Sequence, residues 1–196
     1  MTKEKDENVI NAEDIKKAGK VVNLMQEMSD KRVPEAAQVT KIKINKNEKN
    51  ATILYCRNGQ KSSKEVTFKG YEDAIDDFII AFRGMSEHIV STLDFPEEWL
   101  PRMTTTGLSI TWKDDVIMGM VITAQLEIFG LNAPFNLNTP FIQVASYHRA
   151  NDGCEDVYFS DECEELLETC IKYAKRYMNG ENGEKYEQVP MALGEQ

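Results

Sequence analysis

The chain has 196 residues, of which 41% are hydrophobic and 29% charged, and a formal net charge of −10. That length supports one domain with a real core, and the acidic excess excludes bulk, nonspecific DNA binding while leaving room for a local basic patch. No apolar run reaches the ~18 residues of a membrane span, and the charged start MTKEKDENVI lacks an apolar signal core, so the expected compartment is cytoplasm.

In chain order, residues 1–10 are expected to be disordered. NAEDIKKAGKVVNLMQEMSDKR then reads as a helix capped by Asn11, with Ile15, Ala18, Val22 and Met25 on one stripe. Pro34 ends it, and VPEAA forms a linker. QVTKIKIN, ATILYCR and KEVTFK read as three strands of a β-meander, with Asn58-Gly59 as a turn signal. GYEDAIDDFIIAFRGMSEHIVSTL is an amphipathic helix by the spacing of Ile75, Phe78, Ile79, Phe82, Met85 and Ile89, and Gly84 is a weak point where it would kink. DFPEEWLPRM is a proline-bounded connector with room for one helical turn.

TGLSITWKDDVIMGMVITAQLEIFG reads as a β-hairpin turning at Lys113–Asp115, its second strand running to Ile128. Gly119 marks a bulge or a close backbone approach. NAPFNLNTPF follows, then a short strand in FIQVASY, a loop over HRANDGCEDVYF, and a second amphipathic helix, SDECEELLETCIKYAKRYMNG. Residues 181–196 form a flexible tail. The sum is an α+β domain over residues 11–180: one antiparallel sheet of about five or six strands, with two or three helices packed on one face.

The four cysteines form no Cys-x-x-Cys pair. Cys163 and Cys170 share a stripe with Leu166, Leu167, Ala174, Tyr177 and Met178, which makes them packing residues. A metal set of His148, Cys154 and Cys163 has poor spacing and no fourth ligand. No nucleophile elbow, hydrolase triad or glycine-rich phosphate loop occurs, so neither catalytic residue, metal nor cofactor is expected.

Three surfaces are candidates for binding. Residues 151–196 carry 12 acidic and 4 basic side chains. Asp152, Glu155, Asp156, Glu162, Glu164 and Glu165 form an acidic face able to enter a basic groove, although acids in the first turns of a helix also answer its macrodipole. The meander carries Lys41, Lys43, Arg57, Lys61 and Lys64 beside Tyr55, a combination suited to single-stranded nucleic acid if these residues share one face. NAPFNLNTPF places Asn132, Pro134, Phe135, Asn138 and Pro140 in a rigid, extended segment, which suits either a corner or a recognition edge. In the tail, Gln188, Met191 and Leu193 loosely resemble the peptide by which bacterial sliding clamps are bound, without its aromatic end.

Residues 105–180, from TGLSITW through NAPFNLNTPF to SDECEELLETCIKYAKRYMNG, resemble small proteins encoded by bacteriophages and prophages, most distinctively in the Asn-Ala-Pro and Asn-Thr-Pro pair. The resemblance implies a phage accessory protein in a bacterial cytoplasm and brings no catalytic residue. The expected function is binding of a protein partner that processes nucleic acid. A single-strand-binding or recombination accessory role through the meander is the alternative.

Overall fold

The computed structural model describes residues 33, 35–44, 49–56, 65–113, 115–151 and 158–182. The chain divides into two compact units, Met1–Val33 and Pro34–Gln196. Every element below belongs to the second. The expected N-terminal helix and the expected disordered residues 1–10 lie outside the described residues, as does the expected tail beyond residue 182.

Eight strands form one sheet: β1 (Gln38–Ile44), β2 (Ala51–Cys56), β3 (Glu65–Lys69), β4 (Met103–Lys113), β5 (Val116–Leu126), β6 (Phe135–Asn138), β7 (Ile142–Val144) and β8 (Tyr158–Phe159). The strand order is β3-β2-β1-β4-β5-β7-β8, and β6 also pairs with β5. All pairs are antiparallel except β7 with β8. The fold is therefore α+β as expected, with more strands than the five or six read from sequence. The surplus comes from β6 and β8, four and two residues long. Segments that short carry too little alternation to be recognised alone and exist through their partners.

The helices are α1 (Asp76–Thr92), α2 (Ala145–Asn151) and α3 (Asp161–Met178), with a 3-10 segment at Glu97–Arg102. None among the described residues is long and apolar enough to cross a membrane. In α1, Phe78, Ile79, Phe82, Met85 and Ile89 are buried, following the helical period of the sequence. The helix starts later than expected because residues 71–75 are not helical. It also runs unbroken through Gly84, where a Cβ would sit 3.2 Å from Leu166 of α3. The glycine thus lets α1 and α3 approach closely. Ser160 caps α3 by accepting the Cys163 N–H at 3.3 Å, with Asp161, Glu162 and Glu164 in the first turn and Lys175 and Arg176 in the last.

The core lies between α1, α3 and one face of the sheet. Val39, Ile42, Ile53, Leu108, Met120, Ile122 and Ala124 are at 0% exposure there, together with Phe78, Phe82, Met85, Ile89 and Leu167 from the helices. Each large side chain so buried contributes about 1.5–3 kcal/mol. Simple alternation sets Val39 on the opposite face from Ile42. A bulge between Val39 and Lys41 shifts the register and brings both inward. The HRANDG segment, expected as loop, begins instead as part of α2, and Tyr158–Phe159 pairs with β7 as β8.

Candidate functional site

The second strand of the hairpin was expected to reach Ile128, but β5 stops at Leu126. The Glu127 N–H donates to the Arg102 carbonyl at 2.9 Å, and the Leu131 N–H to the Ile128 carbonyl at 3.1 Å. Gly130 takes φ +87, a left-handed conformation that a side chain would strain. The chain therefore leaves the sheet and curls into a loop. A concavity of about 440 Å³ lies against it, lined by Arg102 and the residues from Glu127 to Pro134. Arg102, Glu127 and Asn132 make part of its lining polar, and its large apolar residues are open to solvent, Phe129 96% exposed, Leu131 58% and Ile128 41%; Phe135 and Phe141, further along the chain, are 57% and 44% exposed.

NAPFNLNTPF then forms a strand broken in two. β6 pairs with the C-terminal half of β5, and β7 pairs with Gly119 and Met120 further along the same strand. Between them Thr139 is 3% exposed. Its N–H donates to the Ile122 carbonyl at 2.9 Å, and its hydroxyl, rather than its carbonyl, accepts the Ile122 N–H at 3.0 Å. The side chain stands in for a missing rung of the ladder. Where β7 begins, a Cβ on Gly119 would sit 2.4 Å from the Ile142 carbonyl and 2.6 Å from the Phe141 ring. Gly119 thus marks both a close approach and a nearby bulge, the register slipping between Thr111 and Trp112.

Antiparallel alternation follows from the Thr139–Ile122 bonds. Leu137 and Phe135 turn their backbone groups toward β5, and Asn136 and Asn138 turn theirs outward. No strand among the described residues covers that outer side. Pro134 and Pro140 bracket it, both exposed, and a proline has no N–H to offer a further strand. Asn132, Asn138 and the two prolines are accordingly at the surface, and Leu137 anchors the segment in the core.

The acidic residues are placed differently. Glu164 accepts the Ser146 N–H at 2.9 Å and also bonds the Ser146 hydroxyl, so it tethers α2 to α3. Asp161 pairs with Arg149 at 2.8 Å. The carboxyl of Glu162 is held below its usual range by its own N–H at the helix start, then by Ser160. His88 of α1 lies near Glu162, and its pKa is lowered because burial outweighs the raising effect of Glu87 and Glu162. Glu162 and Glu165 are exposed. Asp152, Glu155 and Asp156 lie outside the described residues.

The described lysines of the meander and Tyr55 lie on opposite sides of the sheet. Lys43 is level with Thr52 and Lys69, and Lys41 with Leu54 and Thr67, so the three lysines share the face away from the helices. Tyr55, expected beside them, is 5% exposed and paired with Val39, which puts its ring in the core. That is a correction: the bulge at Thr40 reverses its side relative to the lysines, and the ring offers no face to a base. Arg57, Lys61, Lys64, Gln188, Met191 and Leu193 lie outside the described residues.

The thiols of Cys163 and Cys170 face the core, and burial pushes both up to about 12. His148 is 6% exposed and stacks on Tyr158 at 4.5 Å. Its Nδ1 and the Oε1 of Gln143 are buried without a hydrogen-bond partner. No three His, Cys, Asp or Glu residues come together as a metal site among the described residues, and Cys154 is not among them.

Sequence reasoning did not single out Ile128, Phe129 and Leu131 as exposed surface. The signal was Gly130 followed by Asn-Ala-Pro, punctuation that ends a strand early. No family model matches the chain, and no curated protein or solved structure does.

Proposed function

We propose that the chain is a non-enzymatic accessory protein that binds a protein partner through the Glu127–Phe141 loop. The observation that supports this is a group of exposed apolar side chains at a concavity, Ile128, Phe129 and Leu131, led by Phe129 at 96% exposure. Three such side chains add up to roughly 350 Å² of apolar surface, within the range of the largest patch on a monomer. Rigid geometry favours recognition, because an ordered loop loses less entropy on binding. The prolines beside β6 limit strand addition, so side-chain docking into the concavity is the mode the surface suits.

The resemblance to phage-encoded proteins puts the partner, in this reading, among bacterial or phage machines that process nucleic acid. The test is capture from bacterial lysate with three proteins: wild type, Phe129→Ser with Leu131→Ser, and Glu162→Lys with Glu165→Lys. Loss of the partners with the loop variant, and their retention with the charge-reversed one, is the expected pattern. Identical partners for all three would refute the reading.

A second reading rests on Lys41, Lys43 and Lys69 sharing the open sheet face. Lysines there would track the phosphates of a single strand, without ring stacking from Tyr55. A gel shift at two salt concentrations tests it. Such binding must weaken steeply with salt, and no shift at low salt disposes of it.

A further inference from the structure

The sheet face turned away from α1 and α3 carries more than its lysines. Lys41 and Lys43 of β1 are in register with Ser109 and Gly107 of β4, and these with Val121 and Thr123 of β5. Two residues before Val121 on β5, and so on the same side, comes Gly119. It pairs with Gln143 of β7, which pairs in turn with Tyr158 of β8. The neighbouring pair, Met120 and Ile142, lies in the core at 0% and 5% exposure. Alternation therefore turns Phe141, Gln143 and Tyr158 to the side of the lysines. The position of Phe141 agrees, since its ring lies 2.6 Å from where a Gly119 Cβ would stand.

This face thus has a cationic half and an aromatic half. Lys69 of β3 joins Lys41 and Lys43 in the first. In the second, Phe141 is 44% and Tyr158 47% exposed. Both rings are held in place: Phe141 rests on the glycine, and Tyr158 stacks on His148 at 4.5 Å and 19°. Phe141 takes no part in lining the concavity beside Phe129. Although the chain carries −10 in all, the described strand residues on this face include one carboxylate, Glu65, which accepts the Thr40 hydroxyl at 2.5 Å. From Lys41 to Tyr158 is four strand spacings across and two residues along, about 20 Å.

We infer that the occupant of this face is a single-stranded nucleic acid, its phosphates on Lys41, Lys43 and Lys69 and its bases stacked on Phe141 and Tyr158. This rests on the reading of the lysines as phosphate contacts, and it supplies the rings that Tyr55, turned into the core, does not. Lysines attract any polyanion. Fixed, exposed rings on the same face favour one that also presents flat bases. Every base has such a face, so little sequence preference is expected.

Fluorescence anisotropy on the full chain tests it, with labelled oligothymidine of about 15 nucleotides and an abasic strand of the same length. Wild type should bind the oligothymidine at least tenfold more tightly. Phe141→Leu and Tyr158→Leu keep apolar volume on the sheet and remove the stacking surface. Each should weaken oligothymidine binding about tenfold, with the abasic strand and the salt dependence unchanged. Lys41→Ala with Lys43→Ala should weaken both probes and flatten the slope of log K against log salt by about 1.4. Equal wild-type affinity for the two probes overturns the inference without recourse to any variant. If the lysine variant still weakens both probes, the lysine reading survives that result. Ring variants that bind oligothymidine as wild type does would place the bases elsewhere, and also overturn the inference. Polyglutamate that competes as well as oligothymidine would do the same, because charge alone would then be recognised. Wild type that binds neither probe at low salt removes the inference and the lysine reading together.

Discussion

Thr139 shows how one side chain lets a strand break inside a sheet. Its hydroxyl accepts the buried Ile122 N–H where a strand carbonyl would otherwise do so. Pro140 can then follow at the surface. Thr139→Val keeps the shape and removes the acceptor, leaving a buried N–H unsatisfied. The expected loss is about 1–3 kcal/mol, measured by urea unfolding, and Thr139→Ser should retain most of the stability. The buried cysteines make a separate prediction. A thiolate is the reactive form, and burial pushes Cys163 and Cys170 up to about 12. Alkylation at pH 8 followed by peptide mapping should leave both unlabelled in the native protein and label both in urea. Rapid native labelling at either would show that α3 does not hold its inner face against the sheet.

Between elements, the contact of α1 with β4 turns on Ser86. Thr105 lies beside a bulge in β4, where the register slips between Thr105 and Gly107. Its N–H donates to the Ser86 hydroxyl at 3.1 Å, and the two buried hydroxyls bond at 2.9 Å. Ser86→Ala orphans both groups and should cost about 1–3 kcal/mol; Thr105→Val, which keeps the N–H bond, should cost less in the same denaturation assay. Where α1 meets the start of α3, His88 sets a pH dependence. Its folded pKa lies below the ordinary 6.5, so in that window the unfolded chain binds more protons. The contribution is complete above 6.5 and is lost as pH falls through the lower folded value. Melting temperature should therefore drop between pH 7.5 and 5.5, and His88→Gln should flatten that slope. The sequence made α1 and α3 readable because seventeen and eighteen residues repeat one apolar spacing. It also read NAPFNLNTPF as an extended segment, without deciding between a corner and an edge. It could not show the bulge at Thr40 that separates Tyr55 from Lys41 and Lys43, nor β8, because both depend on a neighbouring strand. The exposed loop was hidden for a similar reason: Ile128 continues the alternation of β5, and only the turn at Gly130 takes it out of the sheet.

For the whole molecule, the balance of charge matters more than any ion pair. The three pairs seen among the described residues, Lys49–Asp76, Arg149–Asp161 and Arg176–Glu181, have side chains between 42% and 79% exposed. Such pairs contribute little and weaken in salt. Against them stands a net charge of −10, with Glu162, Glu165 and Glu168 exposed along α3. Self-repulsion of that kind opposes compactness, and salt screens it, since the Debye length shrinks from ~30 Å at 0.01 M to ~3 Å at 1 M. The repulsion should outweigh the pairs. Melting temperature is expected to rise by roughly 2–4 °C as sodium chloride increases from low millimolar to about 0.5 M. Glu165→Lys with Glu168→Lys lowers the negative charge without touching the core, so it should raise the low-salt value and flatten the dependence. A melting temperature that falls with salt in the wild type would mean that attractive pairs dominate, and that the acidic face of α3 is electrostatically matched within the fold.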